Sequence, residues 1–397
     1  MNLRVHVRRA ARRAAAVSSA ALFTVLPLTA GVAHAAGEGI QSRQWGLDAV
    51  HAREAWKTTR GEGVTVAVLD TGVDGTHPDL AGSVLDGKDF VGIGAKRGDR
   101  AWARHGTAMA GIIAGHGHGP GGRDGVLGMA PEARILPVRV LLEKDDPAQE
   151  KARRTHGGAL AAGIRWAVDH GADVINLSLG DDSDSAHPDA QQDAAVRYAL
   201  ESGVVVVASA GNDGEDGDHL SYPAAYPGVI AVTAVDRDRR RAGFSTRGWY
   251  ATVSAPGDDV IITEPDRRYY EGWGTSTAAA FVSGAAALLT AAQPDLTPAQ
   301  VRQLLSDTAQ DTPAGGHSDA LGSGIVDPAA AIALGSAVEP RTLQDGARSH
   351  PDRYFGAGPD PEESVATGWL APAGLAFGAL LVAAAVALHR GARHRDG

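Results

Sequence analysis

The stretch VTVAVLD, Val64 to Asp70, decides the fold. It is apolar at every position until it ends on a carboxylate, whereas a strand with one face in water would alternate apolar and polar residues. Four further stretches share that character: ARILPVRVL (Ala133 to Leu141), DVINLSL (Asp173 to Leu179), VVVVASA (Val204 to Ala210) and VIAVTAV (Val229 to Val235). HGGALAAGIRWAVDHGA and DAAVRYALESG, lying among them, space their apolar residues as helices do. Strands buried on both faces and joined by crossover helices predict one α/β domain of three layers, a mostly parallel sheet flanked by helices.

Three residues in this frame carry chemistry. Asp70 stands at the carboxyl end of the first strand, where open sheets place their sites. Taken alone it is better read as a turn aspartate accepting backbone N–H groups. His105 begins HGTAMAGIIAG, a helix of small residues that can approach another segment closely. An imidazole there can take a proton from a hydroxyl and return it to a leaving amine, or can simply start a helix. Ser276 lies in GTSTAAAFVSG, Gly274 to Gly284, at the head of the alanine-rich run TAAAFVSGAAALLTAAQ. It is locally an N-cap, and it becomes a nucleophile only with a neighbouring base.

Taken in order, these segments resemble subtilisin-like serine peptidases. VAVLDTGVDGTHPDL is similar to the Asp motif of that family, HGTAMAG to its His motif and GTSTAAAFVSG to its Ser motif. NLSLG (Asn176 to Gly180) and ASAGNDG (Ala208 to Gly214) fall where the family has its substrate edge and its oxyanion asparagine. The resemblance covers roughly Gly46 to Leu334. It implies that Asp70 orients His105, that His105 is general base and then general acid, and that Ser276 attacks the scissile carbonyl. It implies also that Asn212, with the Ser276 N–H, binds the oxyanion. Leu177, Ser178, Leu179 and Gly180 on one side and Ser209, Ala210 and Gly211 on the other would be the extended walls that pair with substrate backbone. The family usually has proline four residues after the serine, where this chain has Ala280; alanine preserves a helix, so the expected effect is on the aim of the Ser276 hydroxyl.

The ends give the chain its expected address. MNLRVHVRRAARRAAAVSSAALFTVLPLTAGVAHAA has five arginines, an apolar stretch and the small-residue site Ala33-His34-Ala35, the layout of a signal peptide over residues 1–35. An extension, residues 36–60, has a helix expected around Ala49 to Trp56 and is too short for a folding prodomain, though long enough for a strap. The peptidase domain is expected over 61–335, closing with LTPAQVRQLLSD, capped by Thr297 ahead of Pro298, and GSGIVDPAAAIALG. A polar stalk follows at 336–364. The run VATGWLAPAGLAFGALLVAAAVALHR supplies about the 20 apolar residues that cross a bilayer, giving a transmembrane helix at 366–389 and a basic cytoplasmic tail at 390–397. The catalytic domain would then lie outside a cell membrane, tethered by a single pass. This arrangement, with QWGLDAVHAREAW and the alanine after HGT, resembles the mycosins, membrane-anchored subtilisin-like peptidases associated with type VII secretion. That resemblance implies a protein or peptide substrate, the lipid bilayer and a type VII secretion membrane complex as partners. Its alternative is a structural component of such a complex with a low-activity or inactive peptidase fold.

Composition removes other classes. The chain has 37 basic and 47 acidic residues, and setting aside the eight basic and one acidic residue of the two ends leaves a middle about 17 charges negative, which excludes a nucleic-acid partner. With no cysteine, thiol catalysis and thiolate metal sites are excluded too, as are the disulfides of many mycosins. GHGHGPGG (Gly115 to Gly122) formally contains G-x-G-x-x-G but follows a helix rather than a strand, so it is no nucleotide loop; His116 and His118 read as members of a flexible surface loop. DDSDSAHPD and GNDGEDGD offer oxygen atoms that structural calcium uses, yet their spacing specifies no coordination set, so no cofactor is required and no metal ligands are assigned.

Overall fold

A computed structural model of the chain describes residues 26–27, 39–99, 101–181, 183 and 186–341. The chain divides into two units, 1–343 and 344–397. Apart from residues 26–27, the expected signal peptide lies outside the described residues, as do most of the expected stalk and the whole of the expected transmembrane helix and tail.

The first unit is built on a seven-stranded sheet in the order β10 (Ala251–Pro256), β9 (Ile230–Val235), β8 (Val205–Ser209), β7 (Val174–Leu177), β2 (Thr65–Asp70), β6 (Arg134–Arg139) and β3 (Lys88–Asp89). All its pairings are parallel, with Asp70 opposite Arg139 at the carboxyl end of the β2–β6 ladder. Every residue of β2, β7, β8 and β9 is buried, as expected of strands with helices on both faces. Two small antiparallel sheets complete the unit: β4 (His116–His118) with β5 (Asp124–Leu127), and β11 (Val260–Thr263) with β12 (Tyr269–Gly272), the latter joined by the two-residue β1 (Leu26–Pro27).

The helices are α1 (Trp45–Ala49), α2 (Ala52–Ala55), α3 (Arg104–Ala114), α4 (Gln149–Thr155), α5 (Ala159–Asp169), α6 (Ala190–Glu201), α7 (Thr275–Ala292), α8 (Pro298–Asp307) and α9 (Pro328–Gly335). Thr297 caps α8 in a reciprocal capping box with Gln300, and Asp327 caps α9 through Ala330 N–H. The helix expected at Ala49 to Trp56 is two short helices instead, because His51 between them adopts φ 54°, the left-handed region. The GHGHGPGG segment is not a flexible loop: it supplies β4 of the β4–β5 hairpin, and His118 Nδ1 lies 2.6 Å from the buried Asp79 carboxylate.

Two helices carry the site. α7 is buried from Thr275 to Leu289, so although it is the one described helix long and apolar enough to cross a membrane, it is a core helix. Small residues allow this burial; a Cβ at Gly284 would meet Met129 Cβ at 2.3 Å. α3 approaches the end of β2 just as closely, and a Cβ at Gly106 would lie 2.0 Å from the Gly72 carbonyl oxygen. The strap also belongs to this body: Leu47, Val50, Ala52 and Ala55 join the core, and Gln44 exchanges two hydrogen bonds with the Leu127 backbone.

Candidate active site

Asp70 is fully buried as the last residue of β2, and a buried carboxylate must find donors. Thr71 N–H donates to Oδ1 at 2.7 Å, and His105 Nδ1 stands 2.8 Å from Oδ1 and 2.7 Å from Oδ2. With Nδ1–H donated to a carboxylate, the neutral ring carries its lone pair on Nε2, the tautomer a general base requires. Burial alone would lower the His105 pKa; the Asp70 charge, its hydrogen bond and the Glu143 charge outweigh burial and hold it above the ordinary histidine value.

Ser276 is the second residue of α7 and 2% exposed. Ser178 grips it twice. The Ser178 hydroxyl donates to the Ser276 carbonyl at 2.9 Å, and the Ser276 hydroxyl donates to the Ser178 carbonyl at 3.3 Å. Asn176 supports Ser178 through an amide N–H at 3.0 Å and accepts the Ser283 hydroxyl at 2.9 Å, tying the end of β7 to α7 at two levels. Ala280 leaves this helix unbroken and is itself fully buried. In a regular helix its N–H donates to the Ser276 carbonyl, a bond proline could not make.

Asn212 Oδ1 accepts the Thr275 N–H at 2.8 Å and the Thr275 hydroxyl at 3.0 Å. A backbone N–H can only donate, so the amide oxygen must face the start of α7 and the NH2 group must face away from it. Thr275, absent from the sequence reading, is thus what orients Asn212, and it also meets the Gly211 carbonyl at 3.2 Å. Gly211 has φ 112°, a conformation that suits glycine.

Of the proposed walls, Ser178 and Ser209 are nearly buried, Leu179 is half-buried and Gly180 is exposed. Leu177 and Ala210 are fully buried and give their side chains to the core, and the Ala210 backbone is already paired, its N–H donating to the Val232 carbonyl at 2.9 Å and its carbonyl accepting the Tyr250 hydroxyl at 3.2 Å, so these two do not line an open wall. The Ser209 hydroxyl reaches the Leu179 carbonyl at 3.4 Å, which joins the two segments.

The subtilase family profile matches residues 61–358, three quarters of the chain. The chain belongs to the subtilase family. It is 39% identical over 322 residues to fervidolysin of Fervidobacterium pennivorans, covering 75% of this chain but 44% of that protein. It is 42% identical to a thermophilic serine proteinase of Bacillus sp. (strain AK1), covering 68% of this chain and 62% of that one, so the chain spans only part of these relatives. Subtilisin DY of Bacillus licheniformis is 39% identical, with 68% and 92% covered. The crystal structure of MycP1 from Mycobacterium smegmatis superposes with a TM-score of 0.64 at 32% identity, covering 75% of this chain and 86% of that one. MycP3, a protease from the type VII (ESX-3) secretion system, superposes with a TM-score of 0.61 at 34% identity over 72% and 87%. The chain is therefore a subtilase closely related to the mycosins.

Beside the His105 helix this subtilase has a charged cluster that the sequence reading did not single out. Glu143 and Glu264 face Arg104 there, and Arg104 Nη2 lies 2.5 Å from Asp145. Burial pushes the Glu264 carboxyl up to about 7; Arg104 opposes that shift, Asp266 and Glu143 add to it, and Arg268 again opposes it. A carboxyl raised from 4.5 to about 7 binds its proton more tightly folded than unfolded. Its contribution to stability is fully present below pH 4.5 and is lost as pH rises to about 7. Glu264→Gln is expected to stabilise the protein by about 1 kcal/mol at pH 8, a figure already discounted for solvent screening, and hardly at all at pH 4.5. Thermal melts at both pH values check this; equal shifts at the two would contradict it.

Asp218 holds Arg247 through its side chain at 2.7 Å and its backbone N–H at 2.7 Å. Among the described residues no group of three or more His, Asp or Glu side chains could hold a metal ion.

Proposed function

We propose that this chain is a serine endopeptidase that hydrolyses peptide bonds with Asp70, His105 and Ser276, with Asn212 and the Ser276 N–H as oxyanion donors. The observation that carries the reading is the buried Asp70 carboxylate 2.7 Å from His105 Nδ1, in a subtilase whose Ser276 begins the core helix. Peptide backbone would add as a strand along Ser178 to Gly180 and beside Ser209 and Gly211. A serine-directed fluorophosphonate probe on the full-length protein tests it: labelling that disappears in Ser276→Ala supports the peptidase. A folded protein that takes no label would instead be the structural component of a secretion complex.

Asn212→Ala is expected to lower kcat by about 10²–10³ with KM little changed, since the donor acts on charge that develops only in the transition state. A KM effect with kcat intact would place Asn212 in substrate binding alone. The domain limits given above and the signal peptide, single C-terminal membrane helix and extracytoplasmic catalytic domain form part of the same proposal. The likeness to mycosins supports an exported protein as substrate and a type VII secretion membrane complex as partner.

A further inference from the structure

α3 has no cap of its own. Its N-cap residue is Ala103, which has no polar side chain and sits at φ 58° and ψ 24°. The first N–H groups of a helix need acceptors, and a carboxylate is the best of them there because it also meets the positive end of the helix dipole. Glu143 supplies it from 38 residues away, with Oε1 accepting the His105 backbone N–H at 2.9 Å. Glu143 is 8% exposed. Its loop is pinned to Asp70 itself: Val140 N–H donates to the Asp70 carbonyl at 2.9 Å, and Asp146 N–H closes the turn onto the Glu143 carbonyl at 3.0 Å.

We propose that Glu143 is a positioning residue for His105, fixing the backbone of the histidine while Asp70 fixes its ring. Asp70 ends β2 and Glu143 lies on the loop that follows the adjacent strand β6, so the loop pinned to the β2–β6 ladder brings both carboxylates to the residue. A ring held only at Nδ1 could still swing with its Cα. Holding the N–H as well removes that motion, and placement errors of about 1 Å can cost around 100-fold in rate. The Glu143 charge also stabilises the imidazolium formed when His105 takes the serine proton. The charged groups around this pair are Asp70 on β2, Arg104 on α3, Asp145 beside Glu143, and Glu264 between β11 and β12, which Asp266 and Arg268 face in turn.

The proposal rests on the peptidase reading, and two variants with a control test it in the full-length protein. Glu143→Gln keeps an acceptor for the His105 N–H and removes the charge. The acid limb of its kcat/KM profile on a peptide substrate is expected to move down by roughly half a pH unit, with the plateau kcat within about threefold of the parent. Glu143→Ala removes acceptor and charge together, and its plateau kcat is expected to fall about 10- to 100-fold with KM little changed. Asp145→Asn makes the same change of charge at the exposed partner of Arg104, and its limb should move less than half as far. An unmoved limb in Glu143→Gln, a shift matched by Asp145→Asn, or a Glu143→Ala plateau equal to that of Glu143→Gln would each overturn the proposal. Should Glu143→Ala fail to fold, Glu143→Gln and its control decide. The downfield imidazole proton of His105, followed by NMR against pH, reads the same shift without turnover. A protein inactive on every peptide but showing that shift would sink the peptidase reading and leave this role for Glu143 standing.

Discussion

Alanine at Ser276 is expected to lower kcat by about 10⁶-fold, a magnitude taken from the corresponding substitution in subtilisin. The side chain lost is small, and its hydroxyl makes a 3.3 Å contact with the Ser178 carbonyl. A bond of that kind contributes at most about 1 kcal/mol, and alanine is the better helix former. The Ser276 carbonyl keeps the Ser178 hydroxyl at 2.9 Å, and Asn212 keeps the Thr275 N–H at 2.8 Å. The start of α7 should therefore survive, and the melting temperature should move by no more than a few degrees. Because fold and oxyanion donors persist, the loss reads chemistry alone. The variant should still bind peptide with an unchanged KM or Kd and retain a residual rate of about 10³–10⁴ over water. A loss of less than about 100-fold at unchanged stability would mean that Ser276 is not the nucleophile.

The sequence shows its architecture wherever burial is two-sided. The strands β2, β6, β7, β8 and β9 lie within the apolar runs that announce them, because parallel strands under helices admit few polar residues. β10 escaped that reading for the opposite reason. ATVSAP is fully buried, yet Thr252 and Ser254 interrupt its apolar run, and their burial depends on α8 and on the Gly324 carbonyl, which accepts the Ser254 N–H at 2.8 Å. The β11–β12 hairpin, VIITEPDRRYYEG, hides behind a charged turn in which Arg267 takes φ 62°.

The candidate site divides the same way. Asp70, His105, Asn212 and Ser276 are legible because each sits in a short motif whose local form, strand end or helix start, is written beside it. Glu143, Thr275 and Ser178 in its second role are not. Each acts on a residue 38, 63 or 98 positions away, and nothing near them in sequence marks the contact. One signal was available: neither Ala103 nor Arg104, the two residues before the motif histidine, carries a side-chain acceptor that could cap a helix starting there, so an acceptor had to come from elsewhere. Which carboxylate provides it follows only from the β2–β6 pairing.

Asparagine at Asp70 is expected to cost about 10⁴-fold in kcat, with the fold intact. The amide fits the same buried space, and its orientation is decided by the obligate donor beside it. Thr71 N–H, now 2.7 Å from Oδ1, requires an oxygen there. The NH2 group is then left facing His105 Nδ1, 2.7 Å from the position of the second oxygen. Keeping Nδ1–H on the remaining oxygen, 2.8 Å away, would press it against the amide hydrogens at the second position, 2.7 Å away, so Nδ1 accepts instead and the ring proton moves to Nε2. A protonated Nε2 has no lone pair for the Ser276 proton, and the general base is lost although no atom has moved far. The pH profile should change as well. Neutral imidazole is the active form, so activity rises with pH through the His105 pKa, which Asp70 now holds above its ordinary value against the effect of burial. Without that charge burial prevails, and the acid limb of the residual kcat/KM should move downward. A kcat loss below about tenfold, or a limb that moves upward, would show that His105 does not depend on Asp70 for its proton.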